Sequence, residues 1–166
     1  MKINLIDGET AAVVEAIIEQ ADQTDMPLRK DGWQFKWQKL CKVEGALFYK
    51  VVTLKEPQKV EGLMMLTLMF GEMLYMNNIE VSPWNYSSNG KYENIAGCLL
   101  AYACYKSFEL GRGNYLGFLS FDSKTKLIKL YQRKYGAIHA SGHKMFFDPA
   151  GGKALISKYL GIQSNS

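Results

Sequence analysis

The sequence predicts an α/β (α+β) protein with a mixed, largely antiparallel central sheet and helices on both faces. Three observations carry this. Residues 46–81 hold three β-forming runs joined by short polar returns, the pattern of an antiparallel meander. Tyr92–Leu110 is a long apolar stretch at helical spacing. A further β-forming run, Tyr115–Phe121, follows it. The helix is therefore a crossover that makes its two flanking strands parallel neighbours.

Composition sets the outer bounds. At 166 residues and 48% apolar content the chain is expected to fold as a single domain, 1–166, with a real core. The net charge of +4 is mild, and the lysines and arginines are dispersed. That argues against a dedicated nucleic-acid arm, although a basic face could still form. Three cysteines at no framework spacing read as reduced, buried thiols in a cytoplasmic protein. Met1-Lys2 leads into a short strand-like run rather than a secretory leader, and Leu63–Phe70 is too short to span a bilayer.

Each element has its own signature. Residues 2–6 read as a strand. Thr10–Ala21 reads as an amphipathic helix, with Val13, Val14, Ile17, Ile18 and Ala21 on one face. Asp22–Gly32 is polar and holds Pro27, so it reads as a loop. Trp33–Lys42 is ambiguous: Trp33, Phe35 and Trp37 alternate like a strand, but Leu40-Cys41 breaks the period. Ala46–Leu54, Leu63–Phe70 and Met73–Val81 are the meander, and Leu63–Phe70 is apolar on both faces and hence central. In the crossover helix Ile95, Leu99, Ala103 and the pair Ser107-Phe108 track one face, and Gly111 ends it. Ser123 caps a predicted helix over Lys124–Lys134, closed by Gly136. Two short strands, Ala137–Ala140 and Lys144–Phe147, and a last helix, Lys153–Tyr159, complete the chain.

The stretch with chemical potential is Ile79–Leu100, where a strand feeds a polar loop and the loop opens a helix. The first amides of a helix have no partner within it, and its dipole is positive there. An anion such as a phosphate suits that end. Ala96 and Gly97 are small enough to let a ligand approach the backbone. An ordinary helix start has the same outline.

Two motifs give the stretch a family resemblance. Lys91-Tyr92-Glu93-Asn94-Ile95-Ala96, followed by Leu99-Leu100, resembles the Arg/Gln-x-x-Gly-x-Gly/Ala turn of the GNAT superfamily of acyl-CoA-dependent N-acetyltransferases. Leu127–Ala137 looks like that family's tyrosine helix ending in glycine. Glu80, Pro83-Trp84-Asn85 and Lys124-Thr125-Lys126-Leu127-Ile128 look closer to a less-studied bacterial branch. The match covers roughly residues 63–159. It departs from the family pattern in five ways: Asn94 replaces the first glycine, Lys91 replaces arginine or glutamine, the loop between Val81 and Lys91 is longer, Tyr131 precedes Gly136 by one residue more than usual, and Lys124 stands where many relatives have an asparagine.

The resemblance implies an acyl-CoA N-acyltransferase-like fold whose parallel strands, Met73–Val81 and Tyr115–Phe121, splay to admit the pantetheine arm. It implies acetyl-CoA as co-substrate and direct transfer of acetyl to an amine on a small molecule, peptide or protein. By the same resemblance Val81 offers an amide to the thioester carbonyl. Lys91, Tyr92, Glu93, Asn94, Ile95 and Ala96 hold the pyrophosphate, and Lys124 lies where relatives touch pantetheine. Glu80 is placed as base and Tyr131 as the acid that protonates the leaving thiolate. Trp84 and Asn85 face the acceptor.

Every assignment has a plainer alternative. Glu80 also fits a strand-end carboxylate in a hydrogen-bond network, and Tyr131 a ring packed on the sheet. Lys91 fits a solvated loop lysine, and Trp84 and Asn85 a fixed loop. A non-catalytic acyl-CoA-binding or interaction module is the rival reading of the whole chain. The pI of about 8.8 leaves a charged tRNA open as acceptor, and the oligomeric state is open, a homodimer included. His139 and His143 have no third ligand in the sequence and read as surface or packing residues. The methionines read as core filler.

Overall fold

A computed structural model of the protein describes residues 1–86 and 89–161. Ser87 and Ser88 of the long polar loop, and residues 162–166, lie outside the described residues. Eight strands hydrogen-bond in the order β1-β2-β3-β4-β5-β6-β8-β7. They are β1 (Lys2–Ile6), β2 (Val13–Gln20), β3 (Leu47–Thr53), β4 (Gly62–Met69), β5 (Met73–Val81), β6 (Leu119–Asp122), β7 (Ile138–Ser141) and β8 (Lys144–Phe147). The β5–β6 pair is parallel, and the pairs β1–β2, β2–β3, β6–β8 and β7–β8 are antiparallel. This is the mixed, mostly antiparallel sheet that the meander and crossover predict. The helices are α1 (Trp37–Leu40), α2 (Ile95–Leu110), α3 (Ile128–Leu130) and α4 (Pro149–Leu160).

By internal packing the chain divides into two compact units, residues 1–65 with 78–99 and residues 66–77 with 100–166. The first is organised by the β1–β2 hairpin and by β3. Here the helix predicted over Thr10–Ala21 is replaced by β2. Ala16 and Ile18 are buried, while Val13 is 66% exposed. Ile3 faces Ala16, and Leu5 faces Val14, across the pair. The pairs Val13-Val14 and Ile17-Ile18 fit helical spacing on paper, but β-branched side chains pack better on a pleat. The turn is set by Asp7, whose carboxylate accepts the amides of Glu9 and Thr10. The core of this unit gathers Ala21, Met26, Trp33, Trp37, Phe48, Leu63 and Met65. The ambiguous segment at Trp33–Lys42 is irregular up to the one-turn α1, so Trp33 and Phe35 reach the core from a loop and Trp37 from α1, rather than from a strand.

In the second unit Leu74–Met76 of β5 pair with Leu119–Phe121 of β6. Leu100–Cys104 of α2 are buried without a break, as expected of a helix that is apolar all round. The predicted helix over Lys124–Lys134 winds unevenly. A 3-10 turn, Thr125–Leu127, leads into α3, and Tyr131–Tyr135 form a π turn closed by Gly136 at φ 78°. The last helix begins earlier than predicted. The Asp148 side chain caps it by accepting the Gly151 amide at 2.7 Å, and Pro149 fits the first helical position, where no N–H is needed.

Candidate active site

In the first unit, α2 opens at Ile95 and Asn94 takes the N-terminal cap position, its carbonyl accepting the Cys98 amide at 3.0 Å. The preceding residues are held by β1. The Glu93 amide donates to the Ile6 carbonyl, and the Gly8 amide to the Lys91 carbonyl. Asn94 uses both ends of its amide: Oδ1 accepts from Ile6 N, and Nδ2 donates to the Asn4 carbonyl, each at 2.9 Å. On the other side the Lys91 amide donates to the Trp84 carbonyl, and the Tyr92 amide to Asn85 Oδ1. The chain passes so close here that a side chain at Gly90 would sit 2.6 Å from the Asn85 carbonyl oxygen.

This geometry sorts the predicted cradle. The amides of Lys91, Tyr92 and Glu93 are engaged inside the protein. Those of Asn94, Ile95, Ala96 and Gly97 have no acceptor among the described residues, as expected of a helix N-terminus. The donors fit an anion, and Ala96 and Gly97 carry little bulk. The Lys91 ammonium pairs with Glu56 at 3.4 Å and lies 5.5 Å from the Tyr92 ring centre.

Glu80, near the end of β5, is 6% exposed. Its Oε2 accepts Gln34 N and the Tyr86 hydroxyl, both at 2.6 Å. Its Oε1 accepts Phe35 N at 3.1 Å and Trp37 Nε1 at 2.9 Å. Four donors fill the four lone-pair directions of a carboxylate. Burial, and then the hydrogen bond and charge of Glu80, push the Tyr86 hydroxyl well above the usual tyrosine range. Val81, which ends β5, is half-buried.

Sequence reasoning missed Glu61. It is 1% exposed, because its backbone is bonded on both sides: its amide to the Val51 carbonyl, and its carbonyl to the Ser82 amide. Its Oε1 accepts Trp84 Nε1 at 2.7 Å and Asn85 Nδ2 at 3.1 Å. Trp84 is 38% exposed, meets Trp33 edge to face, and carries Lys59 Nζ 4.8 Å from its ring centre. Asn85 is buried, with Glu61, Ser82 and Tyr92 as partners. Only the apolar run that follows Glu61 hinted that this carboxylate lies inside a sheet.

In the second unit, Tyr131 packs against Phe121, ring centres 4.9 Å apart, and against Tyr135. Its hydroxyl has no hydrogen-bond partner among the described residues, and burial holds its pKa above the usual value. Lys124 is exposed at the start of the 3-10 turn. The Gly136 amide is shared by the carbonyls of Gln132, at 3.1 Å, and Tyr131, the latter an i to i+5 contact. Such a turn absorbs one extra residue, which matches the one-residue excess between Tyr131 and Gly136.

The remaining candidates have structural partners. His139 contacts the Gly142 carbonyl, and His143 the Ser123 carbonyl. Among the described residues no group of three or more His, Cys, Asp or Glu could hold a metal ion. Burial pushes the Cys98 thiol up to about 12 and that of Cys104 higher still, which disfavours the reactive thiolate. No helix among the described residues is long and apolar enough to cross a membrane.

No family model and no curated protein matches the chain. Solved structures do. A KacTA–DNA complex superposes with a TM-score of 0.62 at 11% identity, over 86% of this chain and 99% of that one. AtaTR bound with acetyl-CoA gives 0.57 at 13%, over 84% and 97%. A GNAT family acetyltransferase from Elizabethkingia anophelis with acetyl-CoA bound gives 0.54 at 19%, over 76% and 78%. The class is thus a mixed α+β protein with one parallel strand pair beside a crossover helix. Its particular fold is that of the GNAT acetyltransferases.

Proposed function

We propose that the chain is an acetyl-CoA-dependent N-acetyltransferase that passes acetyl directly to an amine. The observation that carries the reading is the set of amides at Asn94–Gly97, without acceptors among the described residues, at the crossover helix of a GNAT fold. Acetyl-CoA in two of the fold neighbours supports it. In this reading those four amides hold the pyrophosphate, Lys91 lies in the same unit as a cation, and Lys124 serves the pantetheine arm. β5 continues past its three paired residues to Val81, whose amide serves the thioester carbonyl. The amine nitrogen forms the new bond to the acetyl carbon as the carbon–sulfur bond breaks. Tyr131, whose hydroxyl has no hydrogen-bond partner among the described residues, gives its proton to the departing thiolate.

Glu80 has a different part here from the expected base. A proton reaching it would have to displace one of four donors, so Glu80 positions the Gln34–Trp37 segment and Tyr86. The proton of the amine leaves through water. Trp84 and Asn85, fixed by Glu61, form the acceptor side.

A second reading is favoured by one observation. Three amides of the expected cradle, those of Lys91–Glu93, are engaged internally, which suits a non-catalytic acyl-CoA-binding or interaction module. Calorimetry with acetyl-CoA, then free-thiol release across a panel of small amines, peptides and charged tRNA, separates the two. Binding with turnover supports the enzyme. Binding without turnover supports the module. No heat at about 1 mM acetyl-CoA, a free energy of only about −4 kcal/mol, rejects the enzyme.

A further inference from the structure

The first unit carries a second feature, apart from the helix start. A groove of about 590 Å³ is lined by Phe35, Leu40 and Val43, and by Lys36, Lys39 and Lys42. Asn78 completes the lining, and of the apolar side chains Leu40 and Val43 are aliphatic, with Val43 46% exposed. The three lysines recur every third residue through the turns around α1, which puts them along one side. All three are exposed, and none pairs with a carboxylate among the described residues. By contrast, Lys50, Lys91 and Lys106 each have a carboxylate within 4 Å. Apolar side chains beside three lysines that no carboxylate among the described residues pairs have a definite complement.

We propose that this groove docks a polypeptide segment that places aliphatic side chains on the floor and carboxylates against the three lysines. An amphipathic helix presents that combination, with apolar anchors at i, i+3, i+4 and i+7 and acidic residues beside them. Opposite potentials across such a contact steer association and select against basic partners. A nucleic acid fits less well. Single-stranded bases need flat aromatic platforms, and Phe35, the aromatic ring lining the groove, already meets Trp37 edge to face at 6.0 Å. The inference does not need acetyl transfer, since none of these side chains has a part in the proposed reaction.

The test uses the full chain and a synthetic amphipathic peptide with leucines at i, i+3, i+4 and i+7 and glutamates between, followed by fluorescence polarisation. The expected result is saturable binding that weakens as salt rises. Replacing the peptide's glutamates by lysines should cost about tenfold or more. The charge-reversed variant Lys36→Glu/Lys39→Glu/Lys42→Glu should lose binding by a similar factor while keeping its circular dichroism and its response to acetyl-CoA. Val43→Ser, a milder change, should weaken binding without altering its salt dependence. No saturation by about 100 μM peptide, far weaker than a specific contact of this size, overturns the proposal. So does equal binding of the lysine peptide, or tighter binding of a single-stranded RNA oligomer that the triple variant abolishes.

Discussion

The indole N–H of Trp37 donates to the Glu80 carboxylate at 2.9 Å with both side chains buried, so the aromatic that opens α1 and a strand carboxylate fix each other. Removing the carboxylate leaves Trp37 Nε1 and the amides of Gln34 and Phe35 without an acceptor. Glu80→Ala should destabilise the fold by about 3 kcal/mol or more, since each buried group left unsatisfied costs about 1–3 kcal/mol. Urea denaturation measures it. Glu80→Gln keeps one acceptor and should cost less. If Glu80→Gln instead keeps full stability while thiol release falls a hundredfold, the base role returns and positioning is wrong.

Tyr131→Phe should leave the fold intact, because the ring contact with Phe121 survives. Thiol release at saturating acetyl-CoA should fall by about a hundredfold, the usual scale of a lost general acid. Burial raises the pKa of Tyr131, so its neutral form persists through the usual value near 10. No alkaline loss of rate assignable to it is expected below about pH 10. A single-turnover pH series on wild type and variant checks both points.

Asn94→Gly would restore the glycine of the family motif, yet it removes the bonds to Ile6 and Asn4. It should cost about 1–2 kcal/mol of stability, read by thermal or urea unfolding. If the variant is as stable as wild type, the Asn94 staple contributes nothing.

Tyr75 donates to the Asp122 carboxylate, and burial, then that hydrogen bond and charge, push its pKa up to about 12. A raised folded pKa means its contribution to stability is whole below the unfolded value near 10. It is lost as pH climbs toward 12. Ultraviolet titration of tyrosinate should show a late-ionising group that is missing in Tyr75→Phe.

Much of the sheet was legible because β3, β4 and β5 declare themselves by β-branched and apolar runs, and α2 by its length. The hairpin at the start was not read, although Asp7-Gly8 between two apolar runs is a hairpin signal. The doublets Val13-Val14 and Ile17-Ile18 satisfy both periods, and length favoured a helix. Pairing with β1, a tertiary fact, decides it. At the site, the helix start was readable from Asn94 to Gly97. The engagement of Lys91–Glu93 was not, because their partners Ile6, Trp84 and Asn85 are brought there by folding. Glu61 was invisible for a related reason: a lone glutamate before an apolar run looks like a solvated strand end until strands close on both sides.

The polar groups that β1 turns away from β2 have a consequence for how copies of this chain meet. The amide and carbonyl of Ile6 and the carbonyl of Asn4 are satisfied by Asn94 and Glu93. A strand at the border of a sheet is ordinarily a template on which another strand can grow. Here the lead-in to the crossover helix occupies that template, so β1 is closed to strand addition along the stretch it covers.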